Sequence, residues 1–136
     1  MRRYLGIALL LSGCASTGEF RQIDYLVVDN PEKARLELSY RNESDKGMCL
    51  LPEHWPNAAG KINQASAYVR LIVGNESFPI EDFNTGYCPQ GCATYVAPGE
   101  QVSAHIPYND FHLPVRLTHE SKRLEFSPKA FECRRK

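Results

Sequence analysis

Apolar and polar residues alternate in short bursts along this chain. Leu36, Leu38 and Tyr40 share one side of an extended segment and Arg35, Glu37 and Ser39 the other, the period-two pattern of a half-buried strand. Ala67, Val69, Leu71 and Val73 repeat the pattern within Ser66 to Val73, and Val102, Ala104 and Ile106 repeat it again. Ile23 to Val28 is a β-rich run closed by the turn signal Asp29-Asn30-Pro31, so the first pair of strands reads as a hairpin. Asn42 to Gly47 is a polar turn leading into Met48-Cys49-Leu50-Leu51. Pro52 to Gly60 contains two prolines and a glycine, which excludes a regular strand and suits a short turn with Trp55 packed inward. Gly74-Asn75 turns the chain into Ser77 to Ile80. Ala93 to Ala97, the turn Pro98-Gly99-Glu100, Arg123 to Phe126 and Ala130 to Cys133 complete the series.

Short strands, turn signals about every 8–12 residues and no sustained helical period predict an all-β sandwich or barrel. Val96-Ala97-Pro98-Gly99-Glu100-Gln101-Val102 resembles a hairpin common in bacterial immunoglobulin-like domains. That resemblance implies an immunoglobulin-like sandwich of about seven to nine strands over residues 23–136.

The start of the chain follows a different rule. Met1-Arg2-Arg3-Tyr4 is basic, Leu5 to Leu10 is apolar, and Leu11-Ser12-Gly13 brings small residues up to Cys14, the layout of a secretory signal. The apolar run is far shorter than the roughly 20 residues of a spanning helix. Leu11-Ser12-Gly13-Cys14 resembles the lipobox of bacterial lipoproteins, although the leader is shorter than usual. The resemblance implies removal of residues 1–13, diacylglycerol on the Cys14 sulfur and acylation of the new amino terminus. Ala15 in place of Asp implies sorting to the outer membrane with the body facing the periplasm. Residues 14–22 then form the lipidated start and tether. The covalent lipid on Cys14 would be the chain's membrane contact, and no other cofactor is expected.

Exported proteins meet an oxidising compartment, so the remaining four cysteines (Cys49, Cys88, Cys92 and Cys133) imply two disulfides. Cys88-Pro-Gln-Gly-Cys92 favours a local bridge across a tight reversal, which leaves Cys49 with Cys133. A zinc site is the alternative, but only one close pair exists. Loss of Arg2 and Arg3 leaves 14 basic against 16 acidic residues, a near-neutral body of charge −2. Without clustered positive charge beyond Arg134-Arg135-Lys136, nucleic acid is a poor partner.

Motifs for catalysis are lacking: there is no Gly-x-Ser-x-Gly elbow, phosphate-cradling loop or His-Glu-x-x-His. His54, His105, His112 and His119 are scattered. Asp110 and His112 could share a face only if extended, and His105 is expected to point away from the core. Glu81-Asp82 would diverge on a strand, whereas glycosidic hydrolysis needs convergent carboxyls. Cys88 and Cys92 have three residues between them rather than the two of a redox pair. Binding is the better expectation. Phe83, Tyr87 and Tyr95 flank a cross-linked loop with Gln90, and aromatics on a rigid loop make interface anchors, Trp55 being a further candidate. The sequence thus points to a non-enzymatic, lipid-anchored periplasmic module that binds an envelope protein, as an inhibitor or immunity protein against a toxin or lytic enzyme would. The alternative is a periplasmic carrier of metal or small ligands using the histidines and Met48.

Overall fold

The computed structural model describes residues 19–63, 68–84 and 93–135. Among them are ten strands in three antiparallel sheets, and no α-helix. The strands are β1 (Arg21–Gln22), β2 (Leu26–Asn30), β3 (Arg35–Arg41), β4 (Met48–Leu50) and β5 (Arg70–Val73), followed by β6 (Glu76–Pro79), β7 (Thr94–Val96), β8 (Gln101–Pro107), β9 (Arg123–Glu125) and β10 (Lys129–Glu132). One sheet has the order β1-β10-β4-β7, the second β2-β3-β8 and the third β6-β5-β9. Ten strands exceed the seven to nine expected. Prolines cut the ladders short: Pro79 and Pro107 end β6 and β8, since neither has an N–H to extend a ladder.

The period-two reading holds where it was clearest. Leu36, Leu38 and Tyr40 are buried along β3 while the residues between them are partly exposed. β2 and β3 form the expected hairpin. Asn30 caps the 3-10 turn Pro31–Lys33 by accepting from the Lys33 N–H at 3.2 Å. Val69, Leu71 and Val73 point inward as predicted, with the strand assigned from Arg70, while Ser66 and Ala67 lie outside the described residues. Gly74, at φ +59°, opens the two-residue turn into β6. All three sheets contribute to one hydrophobic cluster, with Leu38 and Ile106 from the second sheet, Leu50 and Val96 from the first, and Leu71 from the third.

The turn at Pro98-Gly99 corrects the hairpin expectation. β7 pairs with β4 and β8 with β3, so the turn carries the chain from one sheet to another instead of folding a strand back on its neighbour. Asn42 to Gly47 does the same between β3 and β4. The two crossings lie against each other: the Gly99 N–H donates to the Asn42 carbonyl at 2.7 Å, and the Asn42 N–H to the Glu100 carbonyl at 2.9 Å. Gly99 at φ +76° takes a conformation that side chains rarely adopt.

Cys49 on β4 and Cys133 after β10 form a disulfide with Cα atoms 5.8 Å apart, joining positions 84 residues apart in sequence. Closing a loop of that length stabilises by about 4–5 kcal/mol in the chain-entropy model. The expected Cys88–Cys92 bridge and the Cys14 lipid site lie outside the described residues, as do Tyr87 and Gln90.

Candidate functional site

β6 ends at Pro79, and the chain that follows is pinned at both flanks. Ile80 is 2% exposed and its N–H donates to the Val69 carbonyl, while the Glu81 N–H donates to the Asp110 carbonyl at 2.7 Å. These bonds lay Glu81 to Phe83 beside the 3-10 turn Tyr108–Phe111. Opposite stands Lys61, whose backbone is fixed by Asn57: its N–H donates to Asn57 Oδ1 at 3.0 Å, and its carbonyl accepts from the Asn57 N–H at 2.9 Å.

Three side chains converge there. Lys61 Nζ lies 2.6 Å from Asp110 Oδ1, and the Asp110 side chain is only 7% exposed. The same ammonium sits 5.8 Å from the centre of the Phe83 ring, within cation–π range. Phe83 itself is 36% exposed. Together with Ile62, Ile80 and Glu81 these residues line a shallow cavity of about 250 Å³. Glu81 Oε2 continues the charged rim, 3.8 Å from His112 Nε2. Asp110 Oδ2 is buried without a hydrogen-bond partner, which leaves the Lys61 ammonium at Oδ1 as the counter-charge beside it. An aromatic face set between a fixed cation and fixed acids can dock a partner with little loss of side-chain entropy. Its charged groups pair as Lys61 with Asp110 and Glu81 with His112.

A larger cleft of about 730 Å³ opens where the chain passes from β1 to β2, bounded by the Asn42–Lys46 turn. Its principal aromatic, Tyr25, is already engaged, donating from its hydroxyl to the Phe126 carbonyl at 2.6 Å. Burial pushes that hydroxyl up to about 12. The group therefore stays protonated at neutral pH and supplies no base.

Of the expected anchors among the described residues, Phe83 is the one presented at the surface. Trp55 is 4% exposed, packed edge-on against Tyr25 and Tyr40, and so belongs to the core. Tyr95 lies on β7 opposite Cys49, its ring over Gly47, where an added Cβ would fall 2.5 Å from it. Asp110 and His112 do not extend together. Asp110 turns into the protein and His112, in the left-handed region at φ +50°, turns out. His105 lies half-buried opposite Glu37 in the sheet. Among the described residues no three His, Cys, Asp or Glu side chains gather where they could hold a metal ion. The Lys61–Asp110 pair had no sequence signal, because its members are 49 residues apart and share no motif. No family model, curated protein or solved structure matches this chain.

Proposed function

We propose that the chain is a lipid-anchored, periplasmic protein-interaction module of the cell envelope, non-enzymatic, with an immunoglobulin-like sandwich as its body. In its sharper form the module is an inhibitor or immunity protein that occupies a toxin or lytic enzyme. The observation that carries the reading is Phe83, partly exposed above the Lys61–Asp110 pair. Interface hot spots combine an aromatic with charged neighbours whose geometry is fixed before binding. Two features support the address. Leu11-Ser12-Gly13-Cys14 has the lipobox pattern, and the Cys49–Cys133 bridge belongs to an oxidising compartment. The sandwich reading draws on the two sheet-crossing turns at Asn42–Gly47 and Ala97–Glu100, which connect strands that pair in different sheets.

Affinity capture from envelope extract tests the binding half of the reading, with the oxidised protein and its Phe83→Asp variant as parallel baits. One dominant protein, retained at moderate salt by the parent and lost by Phe83→Asp, is the expected result. Failure of the folded parent to retain any protein, or equal retention by both baits, sinks it. Mass analysis of the amino-terminal peptide tests the anchor separately, an acylated Cys14 being the expected product.

A further inference from the structure

Three sheets have six edges, and five of them are protected against pairing with another chain. β1 is two residues long, and β7 and β9 are three. β6 carries Glu76 and ends in Pro79, while β8 carries polar Gln101, Ser103 and His105 and ends in Pro107. Short strands, charge and proline are the usual devices that blunt an edge. β2 is the least protected: its one charge, Asp29, is engaged by Lys122 and Tyr108 of its own chain, and Pro31 lies only past its end. The strand runs for five residues and begins Leu-Val-Val. Leu26 is 70% exposed, Val27 39% and Val28 58%. β3 occupies one side of it, and no described residue hydrogen-bonds to the other.

We infer that β2 is a self-pairing edge, joining two copies of this chain antiparallel across a twofold axis at Val27. The strand is complementary to itself in that register. Val27 meets Val27 of the second copy, and Leu26 meets Val28 twice, so every exposed apolar residue of the edge is covered. Beyond them Asp29 faces Tyr25 and Asn30 faces Asp24, so no charge opposes a like charge. Asp29 is also turned inward by its own contacts, accepting from Lys122 Nζ at 2.8 Å and from the Tyr108 hydroxyl. A foreign strand would have to match this pattern, whereas a second copy does so by symmetry, and the twofold uses up both edges and closes the assembly. A five-residue ladder falls short of the roughly 800 Å² per partner of standard interfaces, so the pair is weak and is best read by covalent trapping.

The register supplies the test. Residues directly opposite in an antiparallel pair lie about 4.5–5.5 Å apart at Cα, within the span of a disulfide. Val27→Cys should therefore link to a second Val27→Cys chain on mild oxidation, about tenfold faster or more than Val115→Cys, a control at an 89% exposed site. Adding Val28→Lys to the Val27→Cys chain should return the rate to that of the control, with circular dichroism showing that the exposed substitution leaves the fold intact. Linking no faster than Val115→Cys, or unaffected by Val28→Lys, overturns self-pairing. So does a Val27→Cys chain that links to another protein in place of itself. The result is independent of what docks at Phe83.

Discussion

Asn42 Nδ2 donates to the Val96 carbonyl at 3.0 Å, and that bond ties together the two turns by which the chain changes sheets. The same amide nitrogen donates to the Lys46 carbonyl at 2.7 Å, while Oδ1 accepts from the Ser44 N–H and hydroxyl. Asn42 is 1% exposed, yet every polar atom of its side chain has a partner. A buried amide is tolerated only on those terms. Its bonds hold β3 and β4, strands of different sheets, at a fixed separation.

Replacing Asn42 with Ala should therefore cost more than an ordinary turn substitution. The Val96 and Lys46 carbonyls would lose their donor, and a void would remain. We expect a loss of about 2–4 kcal/mol, read as a lower urea midpoint at unchanged slope. Asn42→Asp should be at least as damaging, because a carboxylate oxygen would face those two carbonyls. A change of less than about 0.5 kcal/mol in Asn42→Ala would show that the turns hold without it.

The Cys49–Cys133 bridge links β4 to the residue after its neighbour β10. It acts mainly by restricting the unfolded chain, so its removal should lower stability without altering the folded structure. Cys49→Ser/Cys133→Ser should lower the melting temperature by more than about 10 °C, given roughly 4 °C per kcal/mol for a domain of this size. Reduction of the parent protein should reproduce much of that fall. A double variant that melts with the parent would mean that strand pairing alone fixes this end of the sheet.

The strand pattern was legible in the sequence because burial on one face of a sheet enforces a period of two. Leu36, Leu38 and Tyr40 needed nothing beyond their spacing. Cys49–Cys133 followed from the even cysteine remainder after Cys14 and the Pro-Gln-Gly spacing that favours Cys88 with Cys92, and Trp55 from the prolines around it. The Pro98-Gly99 turn was misread for a physical reason. Pro-Gly reverses the chain equally well within a sheet or between sheets, and the choice is made by Asn42, which is distant in sequence and looks like an ordinary turn residue. Lys61 and Asp110 were illegible for the same reason of distance. Val27 and Val28 were legible as strand residues but not as an exposed edge, since an apolar β-rich run does not say where in a sheet it lies.

His54 gives stability a dependence on pH. Its Nδ1 accepts the Lys129 N–H at 3.2 Å at the start of β10, and its ring lies against Phe20. Burial holds its pKa below the ordinary 6.5, so the folded protein binds the proton less readily than the unfolded chain. The contribution is complete above about pH 6.5 and is lost as pH falls toward and through the depressed folded value. Stability should therefore decline between pH 7 and 5, and His54→Gln should flatten that part of the profile. Parallel profiles for the two proteins from chemical denaturation would exclude His54 as the source.

Lys122 makes the opposite kind of electrostatic contact from those on the surface. Its side chain is 0% exposed, and Nζ donates to Asp29 Oδ2 at 2.8 Å, the Thr118 carbonyl at 2.6 Å and the Glu120 carbonyl at 2.9 Å. The ammonium also lies 4.8 Å from the centre of the Tyr108 ring. All three donors are used, and no water competes for them. Lys122→Met keeps the aliphatic stem but strips Asp29 of its cation and leaves two carbonyls unpaired. Breaking a fully buried pair costs about 3–5 kcal/mol; with Asp29 30% exposed, a loss of about 2–3 kcal/mol is expected. Glu76 and Arg116 form the comparison. They are joined at 2.6 Å but are 46% and 62% exposed, so solvent screens them and Glu76→Gln should leave the unfolding midpoint nearly unchanged. Added salt sharpens the distinction, because 1 M salt should weaken the surface pair and spare the enclosed one. If Lys122→Met unfolds at the same denaturant concentration as Glu76→Gln, enclosure of the ammonium contributes nothing and the account of this corner of the fold fails.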